Sequence, residues 1–257
     1  MKIKFLGTGT STGVPEIGCR CEVCTSNDTK DRRLRASVLI NTDEVRILID
    51  CGPDFREQIL PEPFSQLHGV LLTHEHYDHV GGLDDLRPFC KFADVDIYSG
   101  TITLDALRRR IPYSFSEHKY PGVPVLALHE VHNDRNFFVG DIEIQPIKVM
   151  HHQLPIFGYR IGSFAYLTDV KSIPDDEYSK LEGLDTLVIN ALRIEEHMSH
   201  LNLSEALEVV KRIAPRRAYF IHMSHHMGLH ETVQNALPEN VYLSYDGLEI
   251  EVEALKI

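Results

Sequence analysis

The sequence lacks any apolar stretch that approaches the roughly 18 residues a membrane-spanning helix needs. The opening run, Lys2 to Leu6, breaks at Gly7 and is too short for the hydrophobic region of a secretory signal. Low-complexity linkers and repeats of fixed period are also missing. These absences predict a cytoplasmic protein with no membrane contact, folded as one domain over residues 1–257.

Positive charge is also scarce, because 26 lysine and arginine residues stand against 38 acidic residues, giving a formal net charge of −12. Proteins that track a nucleic-acid backbone usually carry a broad basic surface, so nucleic acid is an unlikely partner. A small anionic substrate remains compatible with this charge, since bound divalent cations can reverse the field inside one pocket. The sequence leaves the oligomeric state open, including a homodimer.

There are only five cysteines, and their odd number in a chain with no secretory signal argues against a disulfide framework. Three of them crowd into one short segment, Cys19, Cys21 and Cys24, while Cys51 and Cys90 stand alone. This spacing favours metal binding or thiolate chemistry for the three clustered residues.

Short runs rich in apolar and β-branched residues recur along the chain and are bounded by residues typical of turns, which predicts strands. These runs are Lys2 to Leu6, Ser37 to Ile40, Val45 to Ile49, Val70 to Thr73, Ile142 to Val149, Phe164 to Thr168, Thr186 to Ile189 and Ala218 to His222. A helical pattern is weak at Leu104 to Arg110 and clear at Leu203 to Ile213, before Pro215. The mixture predicts an α/β or α+β fold with two sheets and helices outside them, but not the strand order.

A dense group of potential metal ligands follows the predicted strand that ends at Thr73. His74 and His76 can converge on one ion, and Asp78 and His79 can reach a second. Imidazole and carboxylate suit Zn, Mn or Fe. The alternative is a solvated polar loop, but three histidines and an aspartate within six residues favour a metal site.

This run resembles the hallmark His-x-His-x-Asp-His of the metallo-β-lactamase-fold hydrolases and matches it in full. The resemblance implies a four-layer αββα sandwich. It also implies further ligands, which are Asp169 as a bridge between two ions and His222 as the last histidine. The third histidine of the family matches one of the pair His151-His152, and the spacing to Phe157-Gly158-Tyr159 favours His152, with His151 as the alternative.

The resemblance therefore implies one divalent ion at His74, His76 and His152 and another at Asp78, His79 and His222, both zinc or manganese. Asp50, after an apolar run and before Cys51-Gly52, matches an early aspartate of the family. We expect Asp50 to orient the ligands through hydrogen bonds rather than to bind metal.

Within the family, the chain resembles most the phosphodiesterases of the carbon-phosphorus lyase pathway, which open phosphoribosyl cyclic phosphates. That group shares an early Gly-Cys-x-Cys-x-x-Cys and a late His-x-Ser-His, which in this chain are Gly18 to Cys24 and His222 to His225. The resemblance implies a separate structural zinc, because Cys₃His is a ligand set typical of closed tetrahedral zinc sites. Its ligands would be Cys19, Cys21, Cys24 and His225.

The same group implies that His200, just before the clearest predicted helix, contacts the substrate. His200 could bind the phosphate or protonate the leaving oxygen. We therefore predict a metal-dependent phosphodiesterase acting on a small, possibly cyclic ribosyl, diester. In this scheme a hydroxide bridging the two ions attacks phosphorus, and the catalytic residues are His200, Asp78 and Asp169.

Several alternatives remain open. A thioester hydrolase of the glyoxalase II type shares the ligand set, and a non-enzymatic metal-binding or scaffold protein could keep the fold without turnover. Lactam-hydrolysing members commonly have a cysteine where this chain has Asp169, which disfavours lactams. Endonucleases that process the 3′ end of tRNA carry an arm between the third histidine and the bridging aspartate, where this chain has only residues 153–168.

Overall fold

The computed structural model describes residues 1–116, 118 and 122–253. Within them the strands are β1 (Lys2–Gly7), β2 (Ser37–Asn41), β3 (Arg46–Ile49), β4 (Gly69–Leu71), β5 (Val95–Ser99), β6 (Leu126–Glu130), β7 (Phe137–Val139), β8 (Ile142–His151), β9 (Leu154–Ile161), β10 (Phe164–Leu167), β11 (Thr186–Asn190), β12 (Arg217–Ile221), β13 (Val241–Leu243) and β14 (Glu249–Glu251). The α-helices are α1 (Phe55–Ile59), α2 (Tyr77–Val80), α3 (Thr101–Arg110), α4 (Leu203–Ile213) and α5 (His230–Ala236). Short 3₁₀ helices cover Thr29–Asp31, Leu83–Lys91, Pro112–Ser114, Asp175–Leu181 and His225–Met227.

Two sheets of seven strands each face one another. The first has the order β14-β1-β2-β3-β4-β5-β6 and the second the order β13-β12-β11-β10-β9-β8-β7. Strands β3 to β6 run parallel, as do β10 to β13. The predicted four-layer αββα sandwich is confirmed.

Alternation of side chains along the strands explains why the central strands are apolar on both faces. In β3, Ile47 and Ile49 point into the core between the sheets, whereas Leu48 packs against the outer helical layer. In β10, Phe164 and Tyr166 face the other sheet, while Leu167 belongs to the outer layer. Strands covered on both faces appear in the sequence as continuous apolar runs.

Helix α4 covers the outer face of the second sheet, and its ends agree with the prediction. Asn202 accepts a hydrogen bond from the backbone N–H of Glu205, and the Glu205 side chain accepts one from the backbone N–H of Asn202. This reciprocal cap fixes the first turn. Ala214, in a left-handed conformation, ends the helix before Pro215.

No helix in the described ranges combines the length and the apolar character required to cross a bilayer. The longest, α4, has 11 residues.

Candidate metal centre

The histidine-aspartate run lies where β4 ends and α2 begins. His74 is buried just beyond the strand, and the N-cap of α2 is His76, which stays exposed. Asp78 and His79 lie in the single turn of α2 and are both buried. A strand end followed by one helical turn therefore directs four potential ligands to one edge of the sandwich.

Three other strand ends complete this edge, and each carries a site residue with an unusual backbone. Asp50 follows β3, Asp169 follows β10 and His222 follows β12, with φ angles of 61°, 57° and 58°. Residues other than glycine rarely adopt this left-handed region, although aspartate and histidine do so more than most. Such a conformation costs on the order of 1–3 kcal/mol and is concentrated at functional sites.

Asp50 is fully buried and organises two of the histidines. It accepts a hydrogen bond from the backbone N–H of Thr73 at 2.9 Å, and its Oδ2 lies 2.8 Å from Nδ1 of His79. The Thr73 hydroxyl lies 3.1 Å from both carboxylate oxygens and 3.0 Å from Nδ1 of His74. Because an ionised carboxylate only accepts, Thr73 donates to Asp50 and accepts from His74. Both rings therefore turn Nε2 toward the cluster, as expected for a residue that orients ligands.

The structure corrects the choice between the two adjacent histidines. Nδ1 of His151 donates to the backbone carbonyl of Ser199 at 2.9 Å, so that a neutral ring presents an unprotonated Nε2 on its other side. His151 joins His74 and His76 in a group of potential ligands, whereas His152 is exposed and belongs to none among the described residues. The structure thus brings His151, the alternative, and not the predicted His152 together with His74 and His76.

Two groups of potential ligands lie side by side with one aspartate between them. The first group is His74, His76 and His151, and the second is Asp78, His79 and His222. Asp169 shares a further group with His74 and His79 and another with His151 and His200. Its Oδ2 lies 3.2 Å from Nε2 of His79 and 3.4 Å from Nε2 of His222. Asp169 thus lies between the two groups, which is the position predicted for a bridging ligand.

The electrostatics of the cluster favour a cation at its centre. Burial raises the pKa of Asp169, but the charges of His222 and His79 outweigh this effect and hold it well below its usual range. Burial lowers the pKa of His79, yet Asp78, Asp169 and Asp50 together raise it well above its usual value. The Nε2 atom of His74 is buried with no hydrogen-bond partner among the described residues. Ionised carboxylates and an imidazole nitrogen without a partner, all aimed at a common centre, fit divalent metal ions.

His200 lies against the same cluster. It belongs neither to the group of His74, His76 and His151 nor to the group of Asp78, His79 and His222. Its Nδ1 is 3.6 Å from Oδ1 of Asp169, and its ring stacks on that of His222. Burial lowers the pKa of His200 to about 3, although Asp169 acts in the opposite direction. The ring is therefore neutral near pH 7, which favours a role as a hydrogen-bonding contact over a role as a preformed proton donor.

A second cluster brings the three neighbouring cysteines to a histidine about 200 residues away in the chain. The sulfur atoms of Cys19, Cys21 and Cys24 lie 3.1, 3.3 and 3.4 Å from Nδ1 of His225. The backbone N–H of Cys24 lowers the pKa of Cys21 to about 6. Nε2 of His225 lies 3.4 Å from a carboxylate oxygen of Glu16, an arrangement that orients a metal-binding imidazole. All four residues could hold one tetrahedral ion.

Sequence reasoning predicted Asp50 as an orienting residue but missed three others that hold site residues in place. Thr73 links Asp50 to His74, and Ser199 fixes the ring of His151. Asn190 accepts a hydrogen bond from the N–H of Val170 and donates one to its carbonyl, which holds the chain just after Asp169. These are common polar residues in unremarkable sequence contexts, and only Asn190, at the end of an apolar run, gave a local signal.

Replacing Asp50 with asparagine should weaken metal binding about 10- to 100-fold. The amide group would donate to Nδ1 of His79 and move the ring proton to Nε2, the atom that faces Asp78 and Asp169. A competitive chelator titration measures the change. The control is Asp96→Asn, since Asp96 pairs with His129 on the surface, and equal affinity in the two variants would contradict the orienting role.

The comparisons with known proteins agree with this geometry. A family model described as the beta-lactamase superfamily domain matches residues 45–223, which is more than half of the chain. The chain belongs to the beta-lactamase superfamily. Members with the metallo-β-lactamase fold are generally hydrolytic enzymes that bind divalent metals.

A superfamily relative from Porphyromonas gingivalis named octanoyltransferase is 47% identical over 251 residues, covering 97% of this chain and 51% of that protein. The chain thus spans about half the length of this curated relative. A crystal structure described as a new diphosphatase from the PhnP family is 38% identical, covers 98% of both chains and has a TM-score of 0.91. Zn²⁺-bound PqqB from Methylobacterium extorquens covers 98% of this chain and 100% of its own at 19% identity and a TM-score of 0.82, a likeness of fold alone.

Proposed function

We propose that the chain is a metal-dependent phosphodiesterase that acts on a small diester. The observation that carries the proposal is the position of Asp169, whose carboxylate lies with His74 of one group of potential ligands and with His79 and His222 of the other. A carboxylate shared in this way suits a two-ion site, the arrangement used for in-line displacement at phosphorus. The likeness to the PhnP-family diphosphatase supports chemistry at a phosphoryl group.

One divalent ion would be held by His74, His76 and His151 and the other by Asp78, His79 and His222, with Asp169 shared. Zinc and manganese both suit these ligands. When bound, the ions supply Lewis-acid stabilisation of phosphoryl charge and lower the pKa of water. Asp78 and Asp169 hold the negative charge that attracts the ions.

The neutral ring of His200 would contribute one hydrogen bond to the substrate phosphate. Its position beside Asp169, on the side of His151 and His222, places it next to both groups of ligands. The lowered pKa of His200 favours this contact over protonation of the leaving oxygen.

The second cluster would hold a structural zinc. Three thiolates and one imidazole are the donor set of closed tetrahedral sites, and the N–H groups of Glu16 and Cys24 point at two of the sulfur atoms, each at 3.4 Å. The ion would tie the N-terminal loop to His225, three residues beyond His222.

The alternatives differ in what they require of the structure. Residues 153–168 form little more than β9, β10 and their turns, which leaves no arm to grip tRNA. The relative named octanoyltransferase is about twice as long as this chain, so its name does not assign an activity to the part that the two share. A glutathione thioester remains the main competitor, because its hydrolysis uses the same ligands.

A substrate panel tests the proposal. Protein loaded with zinc or with manganese is assayed with bis(p-nitrophenyl) phosphate, a cyclic ribosyl phosphodiester, a glutathione thioester, an octanoyl thioester and a tRNA precursor. We expect turnover of the phosphodiesters, its loss on treatment with a chelator and its return on adding metal. Faster turnover of either thioester, or of the tRNA precursor, would overturn the proposal.

A further inference from the structure

Ser199 lies between two histidines and binds them in opposite ways. Its carbonyl accepts a hydrogen bond from Nδ1 of His151 at 2.9 Å, whereas its backbone N–H donates to Nδ1 of His197 at 3.3 Å. The Ser199 hydroxyl lies 3.2 Å from the same nitrogen of His197. A backbone N–H can only donate, so Nδ1 of His197 is unprotonated and the ring proton is on Nε2.

The Nε2–H group of His197 is available to a ligand. The residue is half-buried, and Nε2 is neither enclosed nor hydrogen-bonded within the part of the chain that the structure describes. The ring centroid lies 5.1 Å from that of His200, which itself faces Asp169. Burial lowers the pKa of His197, and Arg193 and Lys171 act in the same direction, so the ring is neutral near pH 7.

The loop that carries His197 also carries a positive charge, that of Arg193. Within the part of the chain that the structure describes, the Arg193 guanidinium donates to the backbone carbonyls of Glu195 and Glu196 rather than to a carboxylate. These bonds shape the loop that carries His197 and leave the charge of Arg193 without a neutralising partner. In a chain with a net charge of −12, an unneutralised cation whose charge acts on His197 favours an anionic group on a ligand bound there.

We propose that His197 is a specificity-determining residue whose Nε2–H binds an anionic oxygen on the leaving group, so that the preferred substrates are diesters of diphosphate. This inference rests on the proposed phosphodiesterase function. His200 contacts the phosphoryl group that reacts, and His197, one ring further from Asp169, contacts the next one. A hydrogen bond to a charged oxygen is about twice as strong as one to a neutral acceptor. A leaving group that carries a second phosphoryl group would therefore bind more tightly than one that carries none.

Two matched variants test the donor. The amide nitrogen of glutamine reaches about as far as Nε2 of histidine, while that of asparagine reaches only as far as Nδ1. With diadenosine diphosphate, we expect His197→Asn to lower kcat/KM about tenfold, mainly through KM, and His197→Gln to recover most of the loss. With bis(p-nitrophenyl) phosphate, whose leaving group has no phosphoryl oxygen, His197→Asn should cost about twofold. Met198→Ala, a change at an exposed neighbour, should alter neither value.

Binding of inorganic diphosphate to the metal-loaded protein, measured by isothermal titration calorimetry, gives a readout that does not depend on turnover. We expect tighter binding of diphosphate than of phosphate, and a loss of about tenfold in His197→Asn. Equal losses with both substrates, or unchanged diphosphate binding in His197→Asn, would overturn the assignment of His197 alone. Wild-type protein that hydrolyses neither substrate would overturn the phosphodiesterase function, and this inference with it.

Discussion

Replacing His151 with alanine should lower kcat/KM for bis(p-nitrophenyl) phosphate by about a thousandfold, because a metal ion contributes several kcal/mol to the stabilisation of a transition state. The same replacement at His152 should leave the value within about twofold. The two residues are adjacent and chemically identical, so they form a matched pair. Only His151 lies with His74 and His76 in one group of potential ligands.

The physical reason for the difference is the hairpin between β8 and β9. His151 pairs with Leu154, so His152 and Gln153 are the two turn residues. His152 has a φ angle of 54°, as two-residue hairpin turns often require, and its side chain is exposed. The ring of His151 lies 5.2 Å from that of His76 and 4.7 Å from that of His200.

Measuring metal content and unfolding temperature together with the kinetics shows whether a loss of activity comes from lost metal or from a less stable fold. His151→Ala should bind less metal at the active centre and unfold at nearly the same temperature, whereas His152→Ala should match the wild type in both. Full activity in His151→Ala, or an equal loss in His152→Ala, would refute His151 as the third histidine ligand.

The sequence predicted every strand whose two faces are both buried, and also β1 and β8, whereas the strands it missed all have residues that are partly or fully exposed. All eight apolar runs are strands, because β3, β10 and β11 lie at the centre of the sheets. Strand β5 alternates buried and half-buried residues around Asp96, and β9 contains Pro155 and Gly158. Strands of three residues, such as β7 and β13, are too short to give a periodic signal.

The ligands of the metal centre were predictable where they follow one another in a motif. They were less predictable where a turn determines which side chain faces the site. His74, His76, Asp78 and His79 follow one strand, and the structure gathers them at one edge. The choice of His151 over His152 depends on which residue is last in the β8 ladder, which spacing alone does not determine. The tautomers set by Thr73 and Ser199 depend on hydrogen bonds between distant segments, and no local pattern records these.

Replacing Cys21 with serine should remove one equivalent of zinc per chain and lower the free energy of unfolding by at least about 3 kcal/mol. The loop around this cluster has a small apolar core, although backbone hydrogen bonds between Val14 and Arg33 also hold it. Its apolar core consists of Val14, Val23 and Cys24, and its only regular element in the described residues is the 3₁₀ turn at residues 29–31. Metal ligation would therefore supply a large part of the energy that orders the segment around the three cysteines.

The same variant should also reduce activity, although Cys21 does not belong to either group of ligands at the active centre. His225 follows His222 by three residues, and Met223 between them exchanges backbone hydrogen bonds with Thr8 and Thr10 of the N-terminal segment. Loss of the ion would loosen the strand end that presents His222. Cys90→Ser is the matched control, since Cys90 is a free thiol outside the cluster and should keep the full zinc count. Zinc measured by elemental analysis, with denaturant unfolding of both variants, decides the matter: an unchanged zinc count in Cys21→Ser would show that the three thiols and His225 bind no metal.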